Sequence, residues 1–328
     1  MDIVPNINEY LLISINIFPS MPELPEVQTI VSELNRKLKN KAIKSVIVNA
    51  PKVVGIGPAV LPPKRVTAQS TVEKFKKLLI GQRIVLVKRR AKLLIFDLSG
   101  PFSILAHLKM TGQFIFEDRK LRQRTGGKYR LLNKLAAPLE QLPSKHTHVI
   151  FALSGGSKLY FNDVRKFGYI KVVRDDEIDK VPELNDYGPE PLSKKFTLLT
   201  FLTAVKNVSK RKIKEVLMDS KIVAGIGNIY SDEILFHAKV RPTRTVSPLS
   251  DKELSAIYKA IRPVLIKGIK AKGSSVGDFV RTDGSWGKMG KYHFVYGRKG
   301  QKCKRCGNII SAIKIGGRTA SFCPHCQR

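Results

Sequence analysis

Beyond Met21 the apolar positions Val27, Ile30, Val31, Leu34 and Leu38 recur at helical spacing and predict an amphipathic helix. From there to about residue 175 the period changes. AIKSVIVNA, RIVLVKRRAKLLIFDL, FSILAHLKMTGQFIFE, THVIFALSG, KLYFND and GYIKVVRD are short runs rich in Val, Ile, Phe and Leu, parted by Gly, Asn, Asp and Ser. They predict enough strands for a β-sandwich. A polar, Lys/Arg-rich stretch at 118–145 reads as a long loop or insertion. Residues 181–193, with Pro182, Pro189 and Pro191, read as an inter-domain linker.

After the linker the pattern turns helical. FTLLTFLTAVKN, KRKIKEVLMDS and NIYSDEILFHA are candidate helices, and Ser250 with Glu253 forms a capping box before Leu254, Ile257 and Ile261. Short strands and turns return around the C-terminal cysteines. The fold class is therefore α+β multidomain: a β domain at 22–180, a helical domain at 190–288 and a cysteine-bearing module at 294–328.

Charge changes the picture from fold to partner. The chain of 328 residues carries 59 Lys+Arg against 26 Asp+Glu, a net +33. Nucleic acid is the commonest polyanion for such a surface, because each neutralised phosphate releases counterions. A membrane-surface reading lacks the long basic amphipathic helix it needs. A generic basic zinc-ribbon protein of the ribosome or transcription machinery also fits the charge.

All four cysteines fall in the last 26 residues, as Cys303-Lys-Arg-Cys306 and Cys323-Pro-His-Cys326 with sixteen residues between the pairs. Two CxxC knuckles at this spacing supply four thiolates to one tetrahedral Zn²⁺. Four protein ligands close the site, so the metal's role is structural. His325 reads as a bystander. The intervening SAIKIGGRTASF reads as a hairpin turning at Gly316-Gly317, with Arg318 just past the turn. Arg318 either enters a DNA groove and grips phosphate or is one more solvated charge.

In the helical domain Asn228 stands where NIYSDEILFHA begins, after the GIG turn. A helix N-terminus suits a phosphate, and Lys210, Arg211, Lys212 and Lys214 crowd the preceding helix. The first twenty residues are apolar only in patches, lack a basic opening and a cleavage site, and are too short an apolar run to cross a bilayer. A soluble, cytoplasmic (nucleoid-associated) protein is expected.

Met21-Pro22-Glu23-Leu24-Pro25-Glu26-Val27, NDVRKFG, GIGNIY, VYGRKG and the four cysteines occur in the order seen in the bacterial formamidopyrimidine-DNA glycosylases, and from about Pro22 to the C-terminus the chain closely resembles that family. The resemblance implies an N-terminal β-sandwich, a helix–two-turns–helix domain and a zinc finger. It implies a monomer that removes 8-oxoguanine and formamidopyrimidines from duplex DNA and then nicks the abasic strand. Pro22 is implied as the amine nucleophile, Glu23 as the acid on the sugar ring oxygen, Lys92 as a proton donor in β-elimination and Arg318 as the residue of δ-elimination. Met110, Arg165 and Phe167 are implied to fill the space left by the everted nucleotide, an apolar–cationic–aromatic plug. His107, His146, Lys210, Asn228 and Tyr296 are implied phosphate contacts, with Ser209 the alternative at Lys210. A base-recognition loop is implied at about 273–291. Judged on pattern alone, Met110 and Phe167 read as core residues.

The chain departs from the family at Val164 and Lys166, where proline and a second arginine are usual, and in the length of 118–145. The larger departure is the segment before Pro22. An internal proline nitrogen is a tertiary amide and cannot attack, so residues 1–21 are expected to be a non-native or processed leader, with Met21 the true start. Leu24 sets the chain apart from the endonuclease VIII-like enzymes of oxidised pyrimidines, whose chains usually open Pro-Glu-Gly. A catalytically inactive damaged-DNA binder remains the alternative if Pro22 stays internal.

Overall fold

The structure is a computed structural model and describes residues 21–61, 66–130 and 139–328. Most of the leader, residues 1–20, lies outside the described residues, as does the middle of the insertion. The N-terminal part comprises α1 (Leu24–Leu38), β1 (Ile43–Val48), β2 (Val54–Ile56), α2 (Gln69–Leu79), β3 (Ile84–Arg90), β4 (Leu93–Leu98), β5 (Phe102–His107) and β6 (Gly112–Glu117). It continues through α3 (Arg119–Thr125), β7 (Lys128–Tyr129), β8 (Glu140–Gln141), β9 (Thr147–Leu153), β10 (Lys158–Asp163) and β11 (Tyr169–Arg174).

Two sheets result, one in the order β1-β9-β10-β6 and one in the order β2-β11-β5-β4-β3. Alternate side chains of both meet in one apolar core. Val46, Phe114, Phe151 and Phe161 come from the first sheet, Leu94, Phe96, Ile104 and Ile170 from the second. This is the expected β-sandwich. Helix α1 buries Val27, Ile30, Val31, Leu34 and Leu38, the periodic positions, and lies against β3 on one side and a long helix of the next domain on the other. It therefore belongs to both halves of the molecule.

The described parts of the stretch 118–145, residues 118–130 and 139–145, are more ordered than its polarity suggests. Asp118 accepts the N–H of Leu121 and caps α3, which ends at Gly126 with φ +62°, and β7 pairs with β8. The linker is also fixed. It holds α4 (Pro182–Asn185), and Val181 is fully buried. Glu190 binds Arg89 and Arg90, while Arg90 donates to the carbonyls of Tyr187 and Gly188.

The helical domain contains α5 (Leu198–Lys206), α6 (Ile213–Met218), α7 (Asn228–Ala238) and α8 (Asp251–Lys270). Ser250 and Glu253 form the anticipated box at the start of α8. Helix α6 starts later than its basic pattern suggested. Lys210, Arg211 and Lys212 precede it, because the chain there bonds to a neighbouring segment: Val246 N–H to Arg211 O and Ser247 N–H to Ser209 O. The C-terminal hairpin is β12 (Ser311–Ile315) and β13 (Arg318–Phe322), turning at Gly316-Gly317. Among the described residues no helix is long and apolar enough to cross a membrane.

Candidate active site and DNA-binding face

Helix α1 begins at the chemistry. Glu23 is its N-cap, and Glu26 closes the box by accepting the Glu23 N–H at 3.0 Å. The Glu23 carboxylate itself turns away, to the start of α7. There it accepts the N–H groups of Gly227 (2.7 Å), Ile229 (2.7 Å) and Tyr230 (3.3 Å). The helix N-terminus expected to take a phosphate is thus occupied by an internal carboxylate. The GIG turn explains how. Gly225 sits at φ +86° and accepts the Leu24 N–H, while a Cβ on Gly227 would lie 2.5 Å from the Glu23 carboxyl carbon.

Burial raises the pKa of Glu23; the charge of Lys92 and the three N–H donors oppose it without prevailing. Lys92 is buried, donates to the Ile226 carbonyl at 3.0 Å, and has its pKa lowered, first by burial. Glu190 bonds the Ala91 N–H and both preceding arginines, which fixes the turn carrying Lys92. Arg318 is exposed on the finger hairpin, and its charge also lowers the Lys92 pKa. Pro22 is buried at the head of α1, with Met21 before it. Glu23 and Lys92 therefore meet at the turn before α7, Pro22 adjoins Glu23 in the chain, and the charge of Arg318 is felt at Lys92.

Glu26 and Tyr230 were not anticipated. Glu26 accepts from the Tyr230 hydroxyl (2.8 Å) and the Ser274 N–H (2.7 Å). Burial, then the neighbouring Glu23, pushes its pKa up to about 7. The Glu23-x-x-Glu26 spacing could have flagged the capping box; the partners 204 and 248 residues away could not be foreseen.

On the outer face Met110, Arg165 and Phe167 come together. The Arg165 Nη1 lies 3.1 Å from the Met110 sulfur, and its guanidinium lies 4.8 Å from the Phe167 ring centre. Phe167 is 45% exposed, so the core reading from pattern alone fails. Buried Asp163 ties the two loops together by accepting from Thr111 Oγ1, the Arg165 N–H (3.1 Å) and the Gly168 N–H (2.7 Å).

The remaining candidates lie on several elements. His107 is buried at the end of β5, where its Nδ1 accepts the Lys109 N–H at 2.9 Å; burial, with Lys109 and Lys92, takes its pKa well below the usual value. The ring is neutral with its proton on Nε2. His146 lies just before β9, 3.9 Å from Glu140. Lys210 is exposed in the turn before α6. Asn228 opens α7, and its buried Oδ1 has no hydrogen-bond partner among the described residues. Tyr296 donates its N–H to Glu233 at 2.9 Å.

The four cysteine sulfurs lie within 4.8 Å of one another, with 3.5 Å between Cys306 and Cys323 and 4.0 Å between Cys303 and Cys326. Zn–S bonds of ~2.3 Å in a tetrahedron put sulfurs about 3.8 Å apart, so the cluster fits zinc. Its ligand set is Cys303, Cys306, Cys323 and Cys326.

Three family profiles match in sequence: the formamidopyrimidine-DNA glycosylase N-terminal domain at 21–170, the H2TH domain of the same enzymes at 187–280, and the zinc finger found in FPG and IleRS at 300–328. A formamidopyrimidine-DNA glycosylase from Listeria innocua is 39% identical over 308 residues, covering 94% of this chain and 100% of the relative. The chain belongs to the formamidopyrimidine-DNA glycosylase family. Among solved structures, the Lactococcus lactis Fpg in complex with DNA containing an abasic site matches with a TM-score of 0.76 at 33% identity, covering 93% of this chain and 99% of that one. The same Fpg in complex with FAPY-dG-containing DNA matches with a TM-score of 0.75 at 33% identity, over 93% and 100%. The family's fold and its structural zinc finger are those described above.

Proposed function

We propose that this protein is a bifunctional DNA glycosylase and abasic-site lyase of base-excision repair, acting on oxidised purines in duplex DNA as a cytoplasmic monomer. The relatives are named for formamidopyrimidine, and solved family members are bound to abasic and formamidopyrimidine-containing DNA. The observation that carries the reading is the buried Glu23 carboxyl, next in chain to Pro22, seated on the α7 N-terminus and within the field of Lys92, with its pKa raised by burial.

With its nitrogen freed, Pro22 is a secondary amine with an unprotonated fraction near neutral pH. Its lone pair attacks the sugar C1′, the bond from C1′ to the damaged base breaks, and the departing base takes up the proton that the nitrogen sheds. Glu23 delivers its proton to the ring oxygen as the ring opens, leaving an iminium between Pro22 and C1′. Loss of a C2′ proton expels the 3′ phosphate, with Lys92 donating a proton. A second elimination, assisted by Arg318, expels the 5′ phosphate. Met110, Arg165 and Phe167 fill the stack behind the everted nucleotide, while His107, His146, Lys210, Asn228 and Tyr296 grip phosphates. Zinc holds the hairpin that presents Arg318.

This chemistry needs Met21 and everything before it removed. The family profile begins at residue 21, and the Listeria relative is covered over its whole length by 308 of the 328 residues, both of which support a start at Met21. The test compares two forms, one beginning at Met1 and one at Pro22, on an 8-oxoguanine·cytosine duplex with borohydride, which reduces the iminium to a stable crosslink. The Pro22 form is expected to crosslink and the Met1 form is not. Tight binding by the Pro22 form without crosslinking or cleavage would replace the enzyme with a damaged-DNA binder, and selective action on oxidised pyrimidines would move it to the endonuclease VIII-like class.

A further inference from the structure

The stretch 118–145 reads from sequence as longer than its family needs, and the contacts of its described residues, 118–130 and 139–145, give it a task. After α8 the backbone at 273–286 runs along β6, the edge strand of its sheet. Gln113 donates to the Asp278 carbonyl (3.0 Å), and the Phe116 N–H donates to the Thr282 carbonyl (2.8 Å).

Helix α1 holds the inner side of this loop at two points. Glu26 accepts the Ser274 N–H at the loop's base. Two turns further along, buried Glu33 accepts the Thr282 N–H (3.1 Å), the Thr282 hydroxyl (2.7 Å) and the Arg281 Nε (2.7 Å). Lys37 adds a bond to Thr282 Oγ1 at 2.8 Å.

The insertion holds the outer side. Leu121, Tyr129 and Leu142 share a buried cluster with Val280 of the loop, and Trp286 packs against it. The Arg130 guanidinium lies 4.7 Å from the Trp286 ring centre. A Cβ built on Gly284 would lie 3.3 Å from the Tyr129 ring. The insertion is itself anchored to the sandwich through Glu117, which accepts from Tyr129 (2.9 Å), Tyr160 (3.1 Å) and Arg122 (3.0 Å).

We propose that the insertion is a bracket that, with Glu33 as the opposing latch, sets the 273–286 loop in place before DNA arrives. This rests on the proposed function and on the base-recognition role that the family resemblance implies for the loop at about 273–291. A loop already ordered in the free protein loses less entropy when the lesion binds, and the binding-competent fraction rises accordingly. The gain belongs to base recognition. An abasic site has no base to read, so its cleavage does not draw on it. Glu33, Tyr129 and Arg130 are thus positioning residues for base excision.

The test uses the form beginning at Pro22, as wild type and as Glu33→Gln, Tyr129→Ala and Arg130→Ala. Each is given an 8-oxoguanine·cytosine duplex and the same duplex with a preformed abasic site. Trp286 is the only tryptophan of the chain, so its emission and acrylamide quenching report the loop directly. Glu33→Gln and Tyr129→Ala are expected to slow single-turnover base excision about tenfold, as for a binding-competent fraction reduced to roughly a tenth. Abasic-site cleavage should stay within about twofold, and Trp286 should shift to the red and quench more readily. Arg130→Ala removes a partly exposed cation beside Trp286 and spares the buried cluster; a smaller change in the same direction is expected. Equal loss of both activities would reduce the bracket to general structural support and overturn the proposal. Unchanged excision, or selective loss with an unmoved Trp286, would overturn it too. A wild type that cleaves abasic sites but excises no oxidised purine would instead sink the functional reading, with the Trp286 readout still deciding whether the bracket exists.

Discussion

Glu23 and Glu26 are both fully buried within the first turn of one helix, and that has a consequence for pH. The pKa of Glu26 is about 7 against an ordinary value of 4.5, so the folded state holds its proton more tightly than the unfolded chain does. The resulting stabilisation is complete below pH 4.5 and is lost as pH rises through about 7. Between pH 5 and pH 8 it amounts to roughly 2–3 kcal/mol, from a shift of that size. Urea midpoints should therefore fall over this range in the wild type and fall less in Glu26→Gln. A midpoint profile of the same slope in both would place the titration elsewhere. The Pro-Glu start and the cysteine pairs were legible because their chemistry is local in sequence. Phe167 was not, because an exposed aromatic and a core aromatic look alike in a pattern. Glu33 was not, because its partners Arg281 and Thr282 lie 248 and 249 residues away.

Helix α7 gathers three commitments on eleven residues. Its N-terminus seats Glu23. Its buried Asp232 pairs with buried Lys214 and accepts the Ser321 N–H of β13 at 2.8 Å. Its Glu233 accepts the N–H groups of Phe294, Val295 and Tyr296, which fixes the chain entering the finger. Asp232→Ala would leave Lys214 as an uncompensated buried charge, which costs about 3–5 kcal/mol. A thermal melt should register that loss, and a shift of under about 1 kcal/mol would mean that water reaches Lys214. Gly227→Ala changes no functional group but puts a methyl where the Glu23 carboxyl lies. Base excision should drop at least about tenfold, the effect of ~1.4 kcal/mol on the barrier, while zinc content stays unchanged. An unaffected rate would show that Glu23 can act from another position. Pattern placed α7 correctly, since its apolar residues and the glycines before it agree. It overextended α6 because a basic run reads as helix, whereas residues 209–211 bond instead to 246–247.

At the scale of the whole molecule the three-part order was readable from the change of hydrophobic period, but the closure between the parts was not. Glu23 reaches Gly227 across 204 residues, and Arg318 influences Lys92 from the opposite end of the chain. If, as proposed, the finger serves the active site as well as the DNA grip, its removal should have two separable effects. Stripping zinc with a chelator leaves four thiols with no metal to organise them, and small sites of this kind unfold without it. Duplex affinity should then weaken, and the slope of log affinity against log salt should become shallower, because each lost phosphate contact removes about 0.9 from it. Arg318→Ala keeps the metal and the hairpin, so it should reduce that slope by about one contact at most. Its larger effect should be on products, with cleavage stopping after the first elimination. A salt titration by fluorescence anisotropy, beside gel analysis of the cleaved ends, separates the two. If the metal-free protein bound with the full slope, the +33 charge would act through the other two domains alone. If Arg318→Ala gave the wild-type product mixture, Arg318 would be a phosphate contact and the second elimination would be assisted by another residue.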